Sequence, residues 1–327
     1  MRTKNRRPAV FLLALLLLAV LLPSCRKEAG DGDAVWVAVI VKAVDSDFWH
    51  GVKAGAGAAG IEYNVRVTFE GPENEEDSGA QSRMIAAAVE NGADVIVLSA
   101  IDEKENAAAV EDAVRRGVPV IIIDSSVNSG LVSQFIGTDN YEAGKAAARA
   151  AVNFTPADGA KIRIGLVNYM ADTANGRRRE EGFRDCIAAV GDAEIVASVT
   201  AESNEESATA CARQLLEEHP EVNVLVGFNE WMTLGVGNAI RASGKAGAVR
   251  GVGFDSNIVS VEMLETGEMD ALVVQNPFAI GYLGVRNAAK LASGGDIGAA
   301  SVATDMTTVT RENLFDADIQ KILFRFS

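Results

Sequence analysis

The 327-residue chain is 48% hydrophobic, with 30 Lys and Arg against 45 Asp and Glu, two His and three Cys. That balance belongs to a folded protein of about two domains and excludes a disordered one. A net charge of −15 repels phosphate backbones, no basic stripe offsets it, and two His with three scattered Cys leave too few soft ligands for a zinc site. The composition therefore predicts no nucleic-acid partner, no metal and no cofactor.

Arg2, Lys4, Arg6 and Arg7 precede an apolar run from Ala9 to Leu22, and Leu22-Pro23-Ser24-Cys25 closes it. A charged start, a short greasy core and a small residue before a cut site predict an export signal over residues 1–24, too short to be read as a spanning helix. Cys25 after Leu-Pro-Ser resembles a bacterial lipobox, in which the Cys becomes the lipidated first residue; Pro23 departs from the usual pattern. Residues 25–33 lack an apolar anchor beyond that point and read as a tether.

From Ala34 onward, short β-branched runs alternate with helical stretches. Strands are predicted at Val35–Val41, Val65–Phe69, Asp94–Leu98, Val118–Ile123 and Gln134–Ile136, with helices over 48–60, 78–91 and 104–116 between them. Several strands are continuously apolar, as parallel strands covered on both faces require. Arg115-Arg116-Gly117 before Pro119 is a helix stop, with cations and a glycine at a C-terminus. A second series follows: helix 141–154, strand 161–168, helix 177–190, strand 194–199, helix 205–219, strand 222–227, helix 231–243 and strand 249–254. The tail supplies a helix at 258–266, a strand at 271–275, a helix at 278–293 and a strand at 307–310. The fold class is α/β, with two similar doubly wound parallel-sheet lobes.

Several motifs carry less than their pattern suggests. Gly55-Ala56-Gly57-Ala58-Ala59-Gly60 fits G-x-G-x-x-G but starts well after the first strand ends, so it predicts a small-residue helix face packed on the sheet instead of a phosphate loop. Gly244-Lys245-Ala246 lacks the hydroxyl and upstream glycine of a nucleotide loop. His50, after Trp49 at a helix start, reads as structural, and His219, beside Pro220 at a helix end, reads as capping or solvent. Cys186 and Cys211 lie on successive crossover helices, which a 2-1-3-4 strand order places on opposite sheet faces, so both are expected to be free, mostly buried thiols.

What remains is polar and aromatic, and it clusters at strand C-termini, where open α/β sheets bind ligands. The segments are Asp45-Ser46-Asp47-Phe48-Trp49, Asp124-Ser125-Ser126, Asp172 to Arg179, Glu202-Ser203-Asn204, Asn229-Glu230-Trp231, Phe254-Asp255-Ser256-Asn257 and Gln275-Asn276-Pro277-Phe278. Carboxylates and amides pair with vicinal hydroxyls while ring faces cover C–H patches, so the set suits a small polyhydroxylated ligand. No paired base and nucleophile is offered, and an enzyme is not predicted.

The order and spacing of Asp47-Phe48-Trp49, Val120 to Asp124, Gly137-Thr138-Asp139-Asn140, Arg177 to Phe183, Asn229 to Gly235, Val252-Gly253-Phe254-Asp255 and Gln275 resemble the periplasmic ribose- and galactose-binding proteins of bacterial ABC importers, over about residues 34–310. The resemblance implies that Phe48, Trp49 and Phe254 sandwich a sugar ring and that Asp124, Arg177, Asn229, Asp255 and Gln275 bind its hydroxyls. Aligning Glu181-Gly182-Phe183 favours Arg177 within the Arg177-Arg178-Arg179 run. Ser46, Ser125 and Ser203 stand where the ribose proteins carry Asn, Arg and Phe, which points to a ligand other than ribose; Trp231 is expected to stand in for the missing ring. The resemblance also implies hinge crossings near Thr138-Asp139, Gln275-Asn276 and Asp305 to Thr307. They would divide the chain into one lobe of 34–138 plus 276–306 and another of 139–275 plus 307–327. An exported, membrane-anchored monomer that delivers a sugar or polyol to an ABC permease follows. The alternatives are a sensor for a membrane kinase or chemoreceptor, or binding of an inositol, a nucleoside or a furanosyl signal.

Overall fold

The computed structural model describes residues 34–154, 156, 159–170 and 173–324. The export signal, the tether with Cys25, and Asp172 lie outside the described residues. Among the latter, no helix is long and apolar enough to cross a membrane.

Five strands open the chain: β1 (Trp36–Ile40), β2 (Arg66–Glu70), β3 (Val95–Leu98), β4 (Val120–Ile123) and β5 (Gln134–Thr138). With β11 (Ser301–Thr304) they form a sheet ordered β11-β5-β4-β3-β1-β2, parallel at every junction. The second sheet holds β6 (Ile162–Tyr169), β7 (Ala193–Ala201), β8 (Val224–Gly227), β9 (Arg250–Phe254), β10 (Ala271–Val274) and β12 (Thr307–Thr310), ordered β12-β10-β9-β8-β6-β7 with β12 antiparallel. The central strands Val-Ile-Val-Leu, Val-Ile-Ile-Ile and Val-Leu-Val-Gly are buried along their whole length because helices cover both faces. β2 and β7 are edges, and their side chains emerge into solvent.

The helices are α1 (Asp47–Tyr63), α2 (Ser78–Glu90), α3 (Ala107–Arg115), α4 (Asn140–Val152), α5 (Ala174–Ala188), α6 (Glu205–Glu218), α7 (Glu230–Ala242), α8 (Ile258–Thr266), α9 (Pro277–Ala292) and α10 (Ala317–Leu323). The chain passes from one sheet to the other between β5 and α4, between β10 and α9, and between β11 and β12. Each helix that begins after a crossing settles on the first or second helix of its new lobe, α4 on α5 and α9 on α1. Glycine makes both seams possible. A Cβ at Gly55 would strike the Phe278 carbonyl and one at Gly281 the Val52 carbonyl; in the other lobe Gly144 meets the Arg179 carbonyl and Gly182 that of Tyr141. The G-x-G-x-x-G run is therefore mid-helix, but its first glycine faces α9, not the sheet. Gly60 alone packs on β2, through Val67.

Two elements escaped the sequence pattern: β11, a four-residue edge strand with exposed sides, and α10, a seven-residue helix with one fully packed apolar residue, Ile319. Cys186 and Cys211 are free, on helices that pack with different partners, α5 on α4 and α6 on α7. They are half-buried, not mostly buried, because each flanks the apolar face of its helix.

Candidate ligand-binding site

The C-terminal ends of both sheets face each other, and the loops there line a polar cavity, with a larger, more apolar cleft beside it bordered by Phe48, Asp255, Gln275 and Phe278. From the first lobe, Ser46 caps α1, its Oγ accepting from the Trp49 amide at 3.4 Å. The first turn of α1 then presents Phe48 and Trp49 edge to face, centroids 4.9 Å apart. Trp49 donates its indole Nε1–H to Glu75 at 2.8 Å, which fixes the ring. Asp124 follows β4 in the left-handed region at φ 55°, its N–H bonded to the Ile136 carbonyl. Its carboxylate accepts from Ser99 Oγ at 2.9 Å and stands 3.9 Å from the Lys42 ammonium, which extends from the end of β1 and is 1% exposed.

The second lobe answers from α5, α7 and β9. Asn175 and Arg179, one turn apart on α5, point inward. Asn175 Nδ2 reaches both Asp124 oxygens at 3.3 Å, and its Oδ1 accepts from Lys42 Nζ at 3.1 Å and from the Tyr169 hydroxyl at 2.9 Å. Arg179 donates to Asn140 Oδ1 and to the Phe228 carbonyl, leaves Nη2 unpartnered, and lies 4.6 Å over the Phe254 ring. Asn229 caps α7 and donates to Ser203, which donates to Glu75 across the cleft at 2.8 Å. Asp255 follows β9 at φ 64° and accepts from Gln275 Nε2 at 2.7 Å, while Gln275 Oε1 has no partner. Burial pushes the Asp255 carboxyl up to about 6 despite the nearby Arg179 cation. It pushes Glu230, at the head of α7, up to about 7 against hydrogen bonds from Asn257 and Phe48. Burial likewise holds the Tyr169 phenol far above its usual range.

Ser46, Phe48, Trp49, Asp124, Asn229, Trp231, Asp255 and Gln275 thus line a single cavity contributed by both lobes. It is a narrow cleft with about 320 Å³ of atom-free space, part of it open to solvent. That shape suits one small ring, not an oligomer.

Three expectations are corrected by the geometry. Arg177 is at the rim, where it forms a bidentate pair with Glu103 at 2.9 and 2.8 Å, because the inward face of α5 repeats as 175, 179, 183 and position 177 falls off it. Arg179 takes the inward place. Phe254 is fully buried in the core beneath the Arg179 guanidinium, so it supports the site without lining it. Ser125 is buried behind Asp124, its Oγ unpartnered, and is likewise off the lining.

Lys42, Glu75 and Tyr169 also line the cavity from outside the strand-end segments, and Asn175, Arg179 and Glu230 line it from within those segments although none was chosen as a contact. A lysine ending an apolar strand, and Phe183 four residues after Arg179, were the available signals for two of them. Nothing in the acidic stretch from Glu73 to Asp77 marks Glu75.

Comparison with known proteins adds to this geometry. Residues 37–296 match the family described as periplasmic binding protein domain. The chain belongs to that family. Among curated relatives, the D-ribose/D-allose-binding protein of Pseudomonas aeruginosa is 27% identical, over 85% of this chain and 91% of its own. The D-allose-binding periplasmic protein of Escherichia coli is 25% identical, over 76% of this chain and 82% of its own. Among solved structures, an ABC transporter solute-binding protein from Agrobacterium vitis with bound D-fucose superposes with a TM-score of 0.84 at 32% identity, covering 88% of this chain and 99% of that one. A carbohydrate transporter solute-binding protein from Agrobacterium radiobacter in complex with D-arabinose gives 0.85 at 28% identity, covering 89% and 99%. Family membership makes the chain a solute-binding protein rather than an enzyme.

Proposed function

We propose that the protein captures one neutral monosaccharide, or a polyol of the same size, between its two lobes outside the cytoplasm and presents the closed form to an ABC importer. The observation that carries this is the convergence of Phe48, Trp49 and Asp124 from one lobe with Asn229, Asp255 and Gln275 from the other on a single narrow cavity. The sugars named for relatives, ribose, allose, arabinose and fucose, support the ligand class.

In this proposal the Phe48 and Trp231 rings cover the sugar's C–H faces, Trp49 holds Glu75 in place, and Asp124, Asp255 and Gln275 accept from hydroxyls. The open donors of Arg179 and Lys42 complete the set. Groups of both lobes touch the sugar, so binding favours the closed arrangement over the open one by the difference in contacts. The domain division follows the three crossings near Asp139, Gln275-Asn276 and Asp305, and the working protein is a monomer. Export by residues 1–24 and lipidation at Cys25 complete the proposal; mass spectrometry of the purified protein would read the lipid directly on an N-terminal Cys25.

Tryptophan fluorescence titrated with pentoses, hexoses and polyols tests the function, since Trp49 and Trp231 both line the cavity. A saturable change with at least one neutral sugar is expected. A flat response and no binding heat across the panel would remove the proposal.

A further inference from the structure

The charge inside the cavity does not balance. Glu75, Asp124, Glu230 and Asp255 face Lys42 and Arg179, and each of the six is more than nine-tenths buried. Lys42 stands with Asp124, and Arg179 is the cation acting on Asp255. Glu75 is satisfied by neutral donors, Trp49 Nε1 and Ser203 Oγ. Glu230 is the carboxylate whose partners are most revealing. It starts α7 in the second lobe, yet its oxygens accept from the first-turn amides of α1 in the other lobe, Phe48 N at 3.1 Å and Asp47 N at 3.4 Å. On its own side Asn257 Nδ2 donates to it at 2.9 Å. The charged groups facing it do not neutralise it. Asp47 on α1 and Asp255 after β9 both repel it. His50, on the next turn of α1, is largely exposed and pairs with Asp47 at 3.5 Å, and the first turn of α8 brings no acid.

We propose that Glu230 is a closure latch: it docks on the N-terminus of α1 only when the lobes meet, and it takes a proton from solvent as it does so. The proposal rests on the sugar-capture function above. The reaction is a carboxylate in the open form, plus a proton and the sugar, giving a carboxylic acid in the closed complex; the proton returns to solvent on opening. The helix N-terminus favours the docked group, but removal from water outweighs that for the charged form. The direction follows from linkage. A carboxyl raised to about 7 when closed, and ordinary when the open cleft admits water, binds protons more tightly in the closed form. Acid therefore favours closure, and the preference is lost as pH rises through about 7. Asp255, raised to about 6, adds to the uptake at lower pH.

Isothermal titration calorimetry of the full protein, with whichever of D-ribose, D-allose, D-arabinose and D-fucose binds tightest, reads this directly. The binding enthalpy is measured in buffers of different protonation enthalpy at pH 7 and pH 6. Wild-type protein should take up about half a proton per sugar at pH 7 and more than one at pH 6, and its Kd should weaken about twentyfold from pH 6 to pH 8. Glu230→Gln, whose proton count is independent of its affinity, should lose the uptake at pH 7. Wild-type binding heat with no buffer dependence would overturn the latch and leave sugar capture standing. Full uptake in Glu230→Gln would also overturn it. Absence of heat with these four and with the wider panel of pentoses, hexoses and polyols would remove the capture proposal and the latch together.

Discussion

Asp124 and Asp255 occupy the same place in the two lobes. Each is the residue after the fourth strand of its sheet, each has a left-handed backbone, at φ 55° and 64°, and each donates its N–H to a carbonyl of the neighbouring strand, Ile136 and Val273. A left-handed non-glycine residue costs backbone energy, and here the turn swings both carboxylates from the sheet ends into one cavity.

That relationship separates stability from binding at Asp124. Asp124→Gly should relieve the backbone while removing the carboxylate, and Asp124→Ala should remove the carboxylate and keep the strain. Both should lose about 1–3 kcal/mol of sugar binding in calorimetry, while denaturant unfolding should find the glycine variant about 1 kcal/mol more stable than the alanine one. Equal binding by wild type and Asp124→Ala would remove this residue from the site.

The same position in the other lobe carries a pH signature. The folded-state carboxyl of Asp255 is raised to about 6 from 3.8, so its contribution favours folding below the unfolded value and is lost as pH rises through about 6. Asp255→Asn keeps an acceptor for Gln275 and carries no charge. It should be about 2–3 kcal/mol more stable than wild type at pH 7.5, with the gap closing toward pH 4, and should bind sugar more weakly. Unfolding curves at the two pH values that run parallel for both proteins would contradict the account.

On α5 the arginine register can be tested by contrast. Arg179 is 1% exposed and holds two hydrogen bonds under the cavity, whereas the Arg177 side chain is 46% exposed at the rim. Arg179→Ala should abolish measurable sugar binding and cost about 3–5 kcal/mol of stability, because Asp255 is left buried without its cation. Arg177→Ala should change either by no more than about 1 kcal/mol, with an effect that shrinks in salt. The opposite ranking in calorimetry would restore Arg177 to the cavity.

Glycines on α1 and α4 divide by what surrounds them. Gly144 has the Arg179 carbonyl where its Cβ would go, and Gly57 has open space. Gly144→Ala should cost about 1–3 kcal/mol and weaken binding by moving α5, while Gly57→Ala should add about 0.5–1 kcal/mol to stability with binding intact. Equal effects in thermal unfolding would mean the α4–α5 seam is looser than described.

The alternation of buried apolar strands with capped helices made the two-lobed fold legible, because central parallel strands such as Val120–Ile123 must be apolar on both faces. Residues at strand ends were legible for the same reason: Asp124 and Asp255 interrupt apolar runs at the end where ligands bind. Elements that bury little, β11 and α10, left no such pattern. Glu75 was illegible for a different reason. Its burial arises from the meeting of two lobes distant in sequence, and within its own lobe it looks like an ordinary surface acid beside a helix start; Glu230 fell in a named segment, but its cross-lobe role has the same origin. The Arg177–Arg179 run could be resolved only once the start of α5 was known, since a shift of two residues turns a side chain to the far side of a helix.

A crystal structure grown with the tightest-binding sugar tests the central claim most directly. It should show one ring in the cavity, with Asp124 of the first lobe and Asn229 and Asp255 of the second all within hydrogen-bond distance of its hydroxyls. Sugar density held by one lobe alone, or lying outside this cavity, would contradict it.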